Sequence, residues 1–268
     1  MSTQPPTNTW LYAIADAGCT PPPGLTGVAG ETLRAIAAPD LTALAGSVPR
    51  GDFDEEPLRA HLADAAWLEH AVRAHHRVVD TLARTAPMLP LRFATLYRDD
   101  RRAAAMLERH HDELLASLGH VTGRVEWGVK AYAGLAGPTP DAAAESGDTR
   151  QDPAARPGTA YLLRRQAQHH RREQDQQQAA DDAQDVHTVL AQAAAEATRH
   201  PLQRPETVGR TEPMVLNGAY LVEQARTAAF HAAVDALSAR FPGLRLETTG
   251  PWPPYSFTAA VQPGDEQR

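Results

Sequence analysis

The chain has one cysteine, Cys19, in 268 residues. That excludes an intramolecular disulfide and any multi-cysteine metal cluster, and it fits a reducing compartment. An excess of basic residues is also missing. The formal net charge is −7, which argues against a basic, nucleic-acid-coating surface. No uninterrupted apolar run approaches the roughly 18 residues of a membrane-spanning helix. The opening MSTQPPTNTWLYAIADAG lacks the basic segment and apolar stretch of a signal peptide. A soluble cytoplasmic protein is expected, without nucleic-acid or membrane partners.

Catalytic motifs are missing as well. The sequence contains no G-x-S-x-G elbow, no Walker A loop, no H-E-x-x-H and no paired C-x-x-C, each of which fixes a reaction type by its spacing. GLTGVAGE (24–31) has glycines at G-x-x-G-x-x-G, the wrong spacing for a nucleotide cradle, and reads as a loop. The histidines include the doublets His75-His76, His110-His111 and His169-His170. Neighbours on a helix diverge by about 100°, so no doublet forms a metal site alone. One of His75 and His76 falls on an apolar stripe and is expected to be a buried, hydrogen-bonded core residue. His110 and His111, among Glu108, Asp112 and Glu113, read as a solvated helix face. No catalytic, cofactor-binding or metal-ligating residue is assigned.

Alternation and turn signals place the elements that remain. TWLYAIAD (9–16) reads as a first strand, followed by a Pro/Gly-rich loop. TLRAIAA and LTALAGSV flank Pro39-Asp40 and can pair as a hairpin. Asp52, Asp54, Glu55, Glu56 and Pro57 open a helix that carries Leu58, Leu62, Ala65, Leu68, Val72, Val79 and Leu82 and ends before Pro87. MLPLRFATLY (88–97) reads as a strand whose Pro90 points to an edge or bulge. A second helix begins near Asp99-Asp100 and carries Met106, Leu107, Leu114, Leu115 and Leu118. Residues 123–134 alternate as a half-buried strand. A Pro/Gly/Asp/Ala-rich linker is expected over 137–159.

Beyond it, a long helix is expected from about Ala160 to Arg199, its middle (164–185) polar on every side, ended by Pro201 and Pro205. The strand 212–223, a helix carrying Phe230, Val234, Leu237 and Phe241, and the strand 244–250 follow. The fold class is therefore α+β: two small ferredoxin-like domains, 1–136 and 160–268, joined by the linker and the long polar helix.

Three segments then carry a family likeness. APMLPLRFATLY (86–97), VEWGVKAYA (125–133) and the stretch from LNGAYLVEQ to GPWPPYSF (216–257) resemble the gas vesicle GvpL/GvpF family in order and spacing. WLYAIADA and APDLTALAGSVP near the start share the likeness. Its most specific part is the closing signature Gly250, Pro251, Trp252, Pro253, Pro254 and Tyr255.

The resemblance implies a non-enzymatic accessory protein associated with gas vesicles, built of two α+β domains. Such a protein binds the hydrophobic shell protein GvpA and other accessory proteins during assembly. It implies no cofactor, and it leaves oligomeric state and L-type or F-type open. Two departures stand out: Ala94 where a glycine is expected, and a Gln/Asp/His-rich insertion over 164–185.

Candidate partner-binding residues lie in the N-terminal domain. They are Leu89, Leu91, Arg92 and Phe93 on strand 88–97, and Glu126, Trp127 and Lys130 on strand 123–134. Trp252, Tyr255 and Phe257 are expected to pack over the second domain's core. On the residues alone, an enzyme or a small-ligand regulatory module on a ferredoxin-like scaffold remains the alternative.

Overall fold

The computed structural model describes residues 6–134, 157–203 and 212–258. Two compact units make up the chain: Met1–Glu126 with Pro251–Arg268, and Trp127–Gly250.

The first unit is built around β1 (Thr7–Asp16), β2 (Leu33–Ala38), β3 (Leu41–Pro49) and β4 (Met88–Pro90), ordered β2-β3-β1-β4 and antiparallel. β5 (Leu96–Tyr97) pairs with β1 as well. The expected hairpin is β2–β3, registered from Leu33↔Gly46 to Ala38↔Leu41. Its turn holds Asp40 at φ 57, a left-handed conformation that aspartate tolerates better than most residues.

β1 is buried from Asn8 to Ala15, because helices cover both faces of its sheet. A bulge shifts its register between Leu11 and Ala13, leaving Tyr12 as the extra residue. That single slip changes the parity of the strand. Trp10, Tyr12, Ala13 and Ala15 pack with α3, whereas Leu11 and Ile14 pack with α4 and α5.

The long helix expected after Asp54 is two helices, α2 (Glu55–Ala63) and α3 (Ala65–Ala83), with α1 (Arg50–Phe53) before them. The break comes at Asp64, whose side chain accepts from the backbone N–H of Ala66 at 2.9 Å and of Trp67 at 3.2 Å. A side-chain cap ends one helical run and starts another without any proline. The buried face of α3 is Ala71, Ala74, His75, Val78, Val79 and Leu82. Leu62 and Val72, expected on it, are 39% and 41% exposed.

Likewise, the second expected helix is α4 (Asp100–Arg109), capped by Asp99, and then α5 (His111–Val121). Ala103, Met106, Leu107, Leu114 and Leu118 close the core over the face opposite α3.

Residues 88–97 are not one strand. Between β4 and β5 the chain turns at Ala94, held at φ 64, with Thr95 N–H bonded to Arg92 O. The left-handed conformation is the reason glycine belongs there, since a Cβ in that region costs about 1–2 kcal/mol. Ala94→Gly is therefore expected to raise stability by up to about 1 kcal/mol, after the added entropy of the unfolded chain is deducted. A denaturant melt would register it as a higher midpoint at unchanged slope.

The second unit runs β6 (Arg124–Ala133), α6 (Pro157–Ala193), β7 (Glu196–Arg199), β8 (Met214–Glu223), α7 (Thr227–Arg240) and β9 (Leu244–Trp252). Its strand order is β7-β8-β6-β9. This βαββαβ sequence with β6 and β8 in the middle of the sheet is the ferredoxin-like arrangement. The first unit has the same strand order, with the loop 17–32 where the first crossover helix would stand.

Two expectations about this region change. α6 ends at Ala193, and Glu196–Arg199 form β7 against Gly218–Leu221. Ladder pairing overrides the helix propensity of Glu-Ala-Thr-Arg. Nor is α6 a connector between domains. Ala179, Ala183, Val186 and Leu190 form a buried stripe that makes it the crossover helix of its own unit.

The expected boundary at 137–159 lies outside the described residues up to 156, and 157–159 open α6. The division into compact units instead falls at 126/127 and 250/251. Most of β6 lies in the second unit, while the closing octet GPWPPYSF (250–257) lies with the first from Pro251 onward.

Candidate functional site

The GLTGVAGE loop shows first what the first unit does with its polar groups. Glu31 Oε1 accepts from the Tyr12 hydroxyl at 2.6 Å, and Oε2 accepts from Ala29 N–H at 2.8 Å. The Tyr12 oxygen in turn accepts from Val28 N–H at 2.9 Å. Burial, reinforced by the Glu31 carboxylate, drives the Tyr12 pKa far above its ordinary value. The loop's own carboxylate thus takes an amide that a bound phosphate would need, and the segment is a latch rather than a cradle.

A Cβ on Gly27 would lie 1.8 Å from Glu31 Oε1 and 2.2 Å from the Tyr12 hydroxyl oxygen. Gly27→Ala is expected to spring the latch and lower stability by about 1–3 kcal/mol, the range for stranding buried hydrogen-bonding groups. Thermal melts of the two proteins check it.

The candidate residues on 88–97 separate by burial. Leu89 and Leu91 are 1% and 2% exposed and belong to the core under α4 and α5. Phe93 is half-buried, its ring 5.2 Å from Trp10 and 5.8 Å from His75. Arg92 alone of the four is exposed. β4 does lie at the end of the strand order, as its proline suggested.

The candidates on β6 are held too. Glu126 is buried, and its carboxylate accepts from Ser256 N–H at 2.8 Å and Ser256 Oγ–H at 2.6 Å. Trp127 is buried with its ring edge-on to His231 at 4.3 Å and 87°. Lys130 Nζ donates to Gln203 Oε1 at 3.2 Å. Of these seven residues Arg92 is the one that is exposed, while Phe93 and Lys130 are half-buried and the others buried.

Behind Phe93, Trp10 Nε1–H donates to His75 Nδ1 at 3.1 Å, and His75 Nε2 lies 3.1 Å from Leu91 O. An indole N–H can only donate. Nδ1 is therefore the acceptor, and the proton sits on Nε2, donated to the Leu91 carbonyl. Burial pushes the His75 pKa down to about 4, against the opposing pull of that carbonyl. This is the core histidine expected from the helical spacing.

His111 is its opposite. It lies at a surface cleft between the β2–β3 turn and the α4–α5 junction, lined by Asp40, Glu108, Arg109 and Asp112. Its Nδ1 is 2.8 Å from Asp112 and its Nε2 3.2 Å from Asp40. Hydrogen bonds to the Asp112 carboxylate, then to that of Asp40, raise its pKa. The cleft gathers charged side chains around His111 without a nucleophile. Among the described residues, no group of three potential ligands is placed to hold a metal ion. No helix there is long and apolar enough to cross a membrane.

The first unit also exposes large apolar side chains, Leu62, Val72 and Trp252. Trp252, expected to be buried over the second domain, is 40% exposed and stands with the first unit. Its ring lies 5.4 Å from His76, which is also 6.4 Å from Tyr255. The octet is anchored beneath: Pro253 and Pro254 are buried, Tyr255 packs against the Trp10 core, and Thr258 Oγ1–H donates to Pro90 O at 3.3 Å.

Leu68, Val72 and His76 follow each other at four-residue spacing along α3, and Val72 is 41% exposed. They make one ridge that leads to Trp252. Sequence reading assigned Val72 to the core and Trp252 to packing. The clue it passed over was the stripe 68–72–76, offset from the true core stripe 71–74–78.

Comparison with known proteins covers nearly all of the chain. The family model described as gas vesicle synthesis protein GvpL/GvpF matches residues 8–259. Gas vesicle protein L of a Streptomyces species is 42% identical over 245 residues, covering 90% of this chain and 88% of that protein. Gas vesicle protein F2 of Halobacterium salinarum is 25% identical, covering 92% and 90%. The crystal structures of GvpF from an Anabaena species and from Microcystis aeruginosa superpose with TM-scores of 0.62 and 0.60 at 17% identity. They cover 96% and 94% of this chain and 98% of each of theirs, which shows the shared fold.

Proposed function

Because the chain belongs to the gas vesicle GvpL/GvpF family, involved in gas vesicle formation, we propose that it acts as a non-enzymatic binder of the hydrophobic shell protein GvpA during assembly. It works in the cytoplasm at growing vesicles, beside other accessory proteins. The observation that supports the docking site is the ridge on the first unit, where exposed Val72 and Trp252 flank half-buried Leu68.

A shell subunit built to face gas exposes apolar area that associates nonspecifically in water. Covering that area with a few large apolar side chains keeps it soluble, and tryptophan is the side chain best suited to such an anchor. The ridge is short, so binding is moderate and the subunit can be released to the shell. Arg92 on the β4–β5 turn supplies an exposed polar contact in the same unit.

Trp252→Ala is expected to lower stability by less than the ~3–5 kcal/mol of a buried tryptophan, because the ring is only partly covered. It is expected to weaken capture of the shell protein by about tenfold or more. Leu202, 55% exposed in the second unit, is the control. Pull-down with full-length Trp252→Ala, Val72→Asp and Leu202→Ala proteins distinguishes them. Equal loss in all three, or loss at Leu202 alone, would sink the ridge as the docking site.

A further inference from the structure

α6 arranges its charges differently from the other exposed helices. In α2 and α3 each ion pair at i, i+4 has the acid first: Glu55 with Arg59, Glu69 with Arg73, Asp80 with Arg84. That order agrees with the helix dipole and is the more stabilising one. In α6 the bases come first. Arg165, Arg171 and Arg172 precede Asp175, Asp181, Asp182 and Asp185, and His169 and His170 precede their partner Glu173. Asp181 and Asp185 stand four residues apart with like charge, which weakens a helix. The segregation does not serve the helix itself.

Nor does it serve packing within the unit. Residues 165–178 are exposed on every side, and the helix is held to its sheet by Ala179, Ala183, Val186 and Leu190. Ala167, Arg171, Gln174, Gln178, Asp181 and Asp185 recur at alternating spacings of four and three, all exposed. That is the spacing of a coiled-coil seam. At 3.6 residues per turn the seam lies about 130° round the helix from the buried stripe, clear of the sheet.

We propose that this seam pairs α6 antiparallel with α6 of a second copy of the chain. Charge complementarity selects that occupant. Turned about a two-fold axis level with Gln176, the seam sets Arg171 opposite the second copy's Asp181, and Asp181 opposite its Arg171. Gln174 meets Gln178 between them. A two-fold contact needs one self-complementary patch, and a seam with Arg171 toward one end and Asp181 and Asp185 toward the other is self-complementary only antiparallel, where Asp185 meets the neutral Ala167. Parallel pairing would set arginine on arginine and aspartate on aspartate. The seam has no large apolar side chain, so the association is electrostatic and salt-sensitive. It stands apart from the shell-protein reading and does not depend on it.

Sedimentation of the full-length protein tests it. At about 10 mM salt, where screening extends about 30 Å, a dimer is expected; at about 1 M, where it falls to about 3 Å, a monomer. Arg171→Asp and Asp181→Arg are each expected to weaken the dimer by about tenfold or more, and the double variant to restore it. Circular dichroism confirms that α6 persists in each.

A second readout leaves the charges intact. With Cys19→Ser as background, Gln174→Cys/Gln178→Cys is expected to cross-link into a covalent dimer at low salt and not at high salt. A monomer at low salt, a dimer indifferent to the single reversals, or an unrescued double variant with its helix intact overturns the proposal. So does failure of the cysteine pair to cross-link.

Discussion

Lowering the pH from 6.5 to about 4 is expected to remove about 3 kcal/mol of stability through His75 alone. The folded state holds this imidazole neutral, with Nδ1 accepting from Trp10 and Nε2 donating to Leu91, and its pKa is depressed to about 4 by burial. Above pH 6.5 both folded and unfolded chains carry it neutral, and the stability is fully present. Below that, the unfolded chain binds a proton that the folded chain refuses. Stability then falls by up to about 1.4 kcal/mol per pH unit until the folded pKa is reached.

Two other groups bracket this window. Asp100 has its pKa lowered by its hydrogen bond to Arg34, so it loses its contribution at the acid end. His111 has a raised pKa, so it contributes below the unfolded value and loses that as pH rises. His75→Gln isolates the histidine: its amide can accept from Trp10 and donate to Leu91 but does not titrate. Urea melts from pH 7 to 4 should show the steep fall in the wild type and a shallower one in the variant. Parallel curves would contradict the assignment.

Glu126→Ala is expected to cost about 2–4 kcal/mol and to free the closing octet. A buried carboxylate that accepts from both the N–H and the hydroxyl of Ser256 makes two charge-assisted hydrogen bonds, each worth about 1.5–3 kcal/mol to lose. Glu126→Gln keeps one acceptor oxygen and should fall between. Fluorescence of Trp252, which sits four residues before Ser256, should move toward that of a solvated indole. Hydrogen exchange at Ser256 and Phe257 should accelerate in step. A destabilised protein with an unchanged octet would mean that the prolines and Tyr255 hold the segment by themselves.

Both predictions rest on residues the sequence treated unequally. His75 was legible because helical spacing puts it on an apolar face, and a buried imidazole must find partners. The hairpin β2–β3, the strands β6, β8 and β9, and the closing helix were legible from alternation and period. Asp64 was not, since an aspartate within a helical pattern looks like an exposed position until its side chain turns back on the amides ahead of it. β7 was hidden for a different reason. Glu-Ala-Thr-Arg is ordinary helix sequence, and only the ladder to β8 makes it a strand.

The α3–Trp252 ridge was misjudged by geometry of a finer kind. Leu68, Val72 and His76 lie on α3 beside the true core stripe Ala71, Ala74 and Val78, and one-residue offsets decide which stripe meets the sheet. Glu126 and Trp252 depend on contacts more than a hundred residues apart in sequence, for which local pattern gives no signal. The left-handed turn at Ala94 was signalled only by the glycine expected there.

On the proposed function, the chain keeps the shell protein soluble by covering it with the α3–Trp252 ridge. Co-expression of GvpA with the wild-type chain, measured as the fraction of shell protein left in the supernatant, tests it most directly. GvpA is expected to stay soluble with the wild type and with Leu202→Ala, and to pellet with Val72→Asp or Trp252→Ala at equal expression. GvpA that pellets equally with and without the wild-type chain would contradict it.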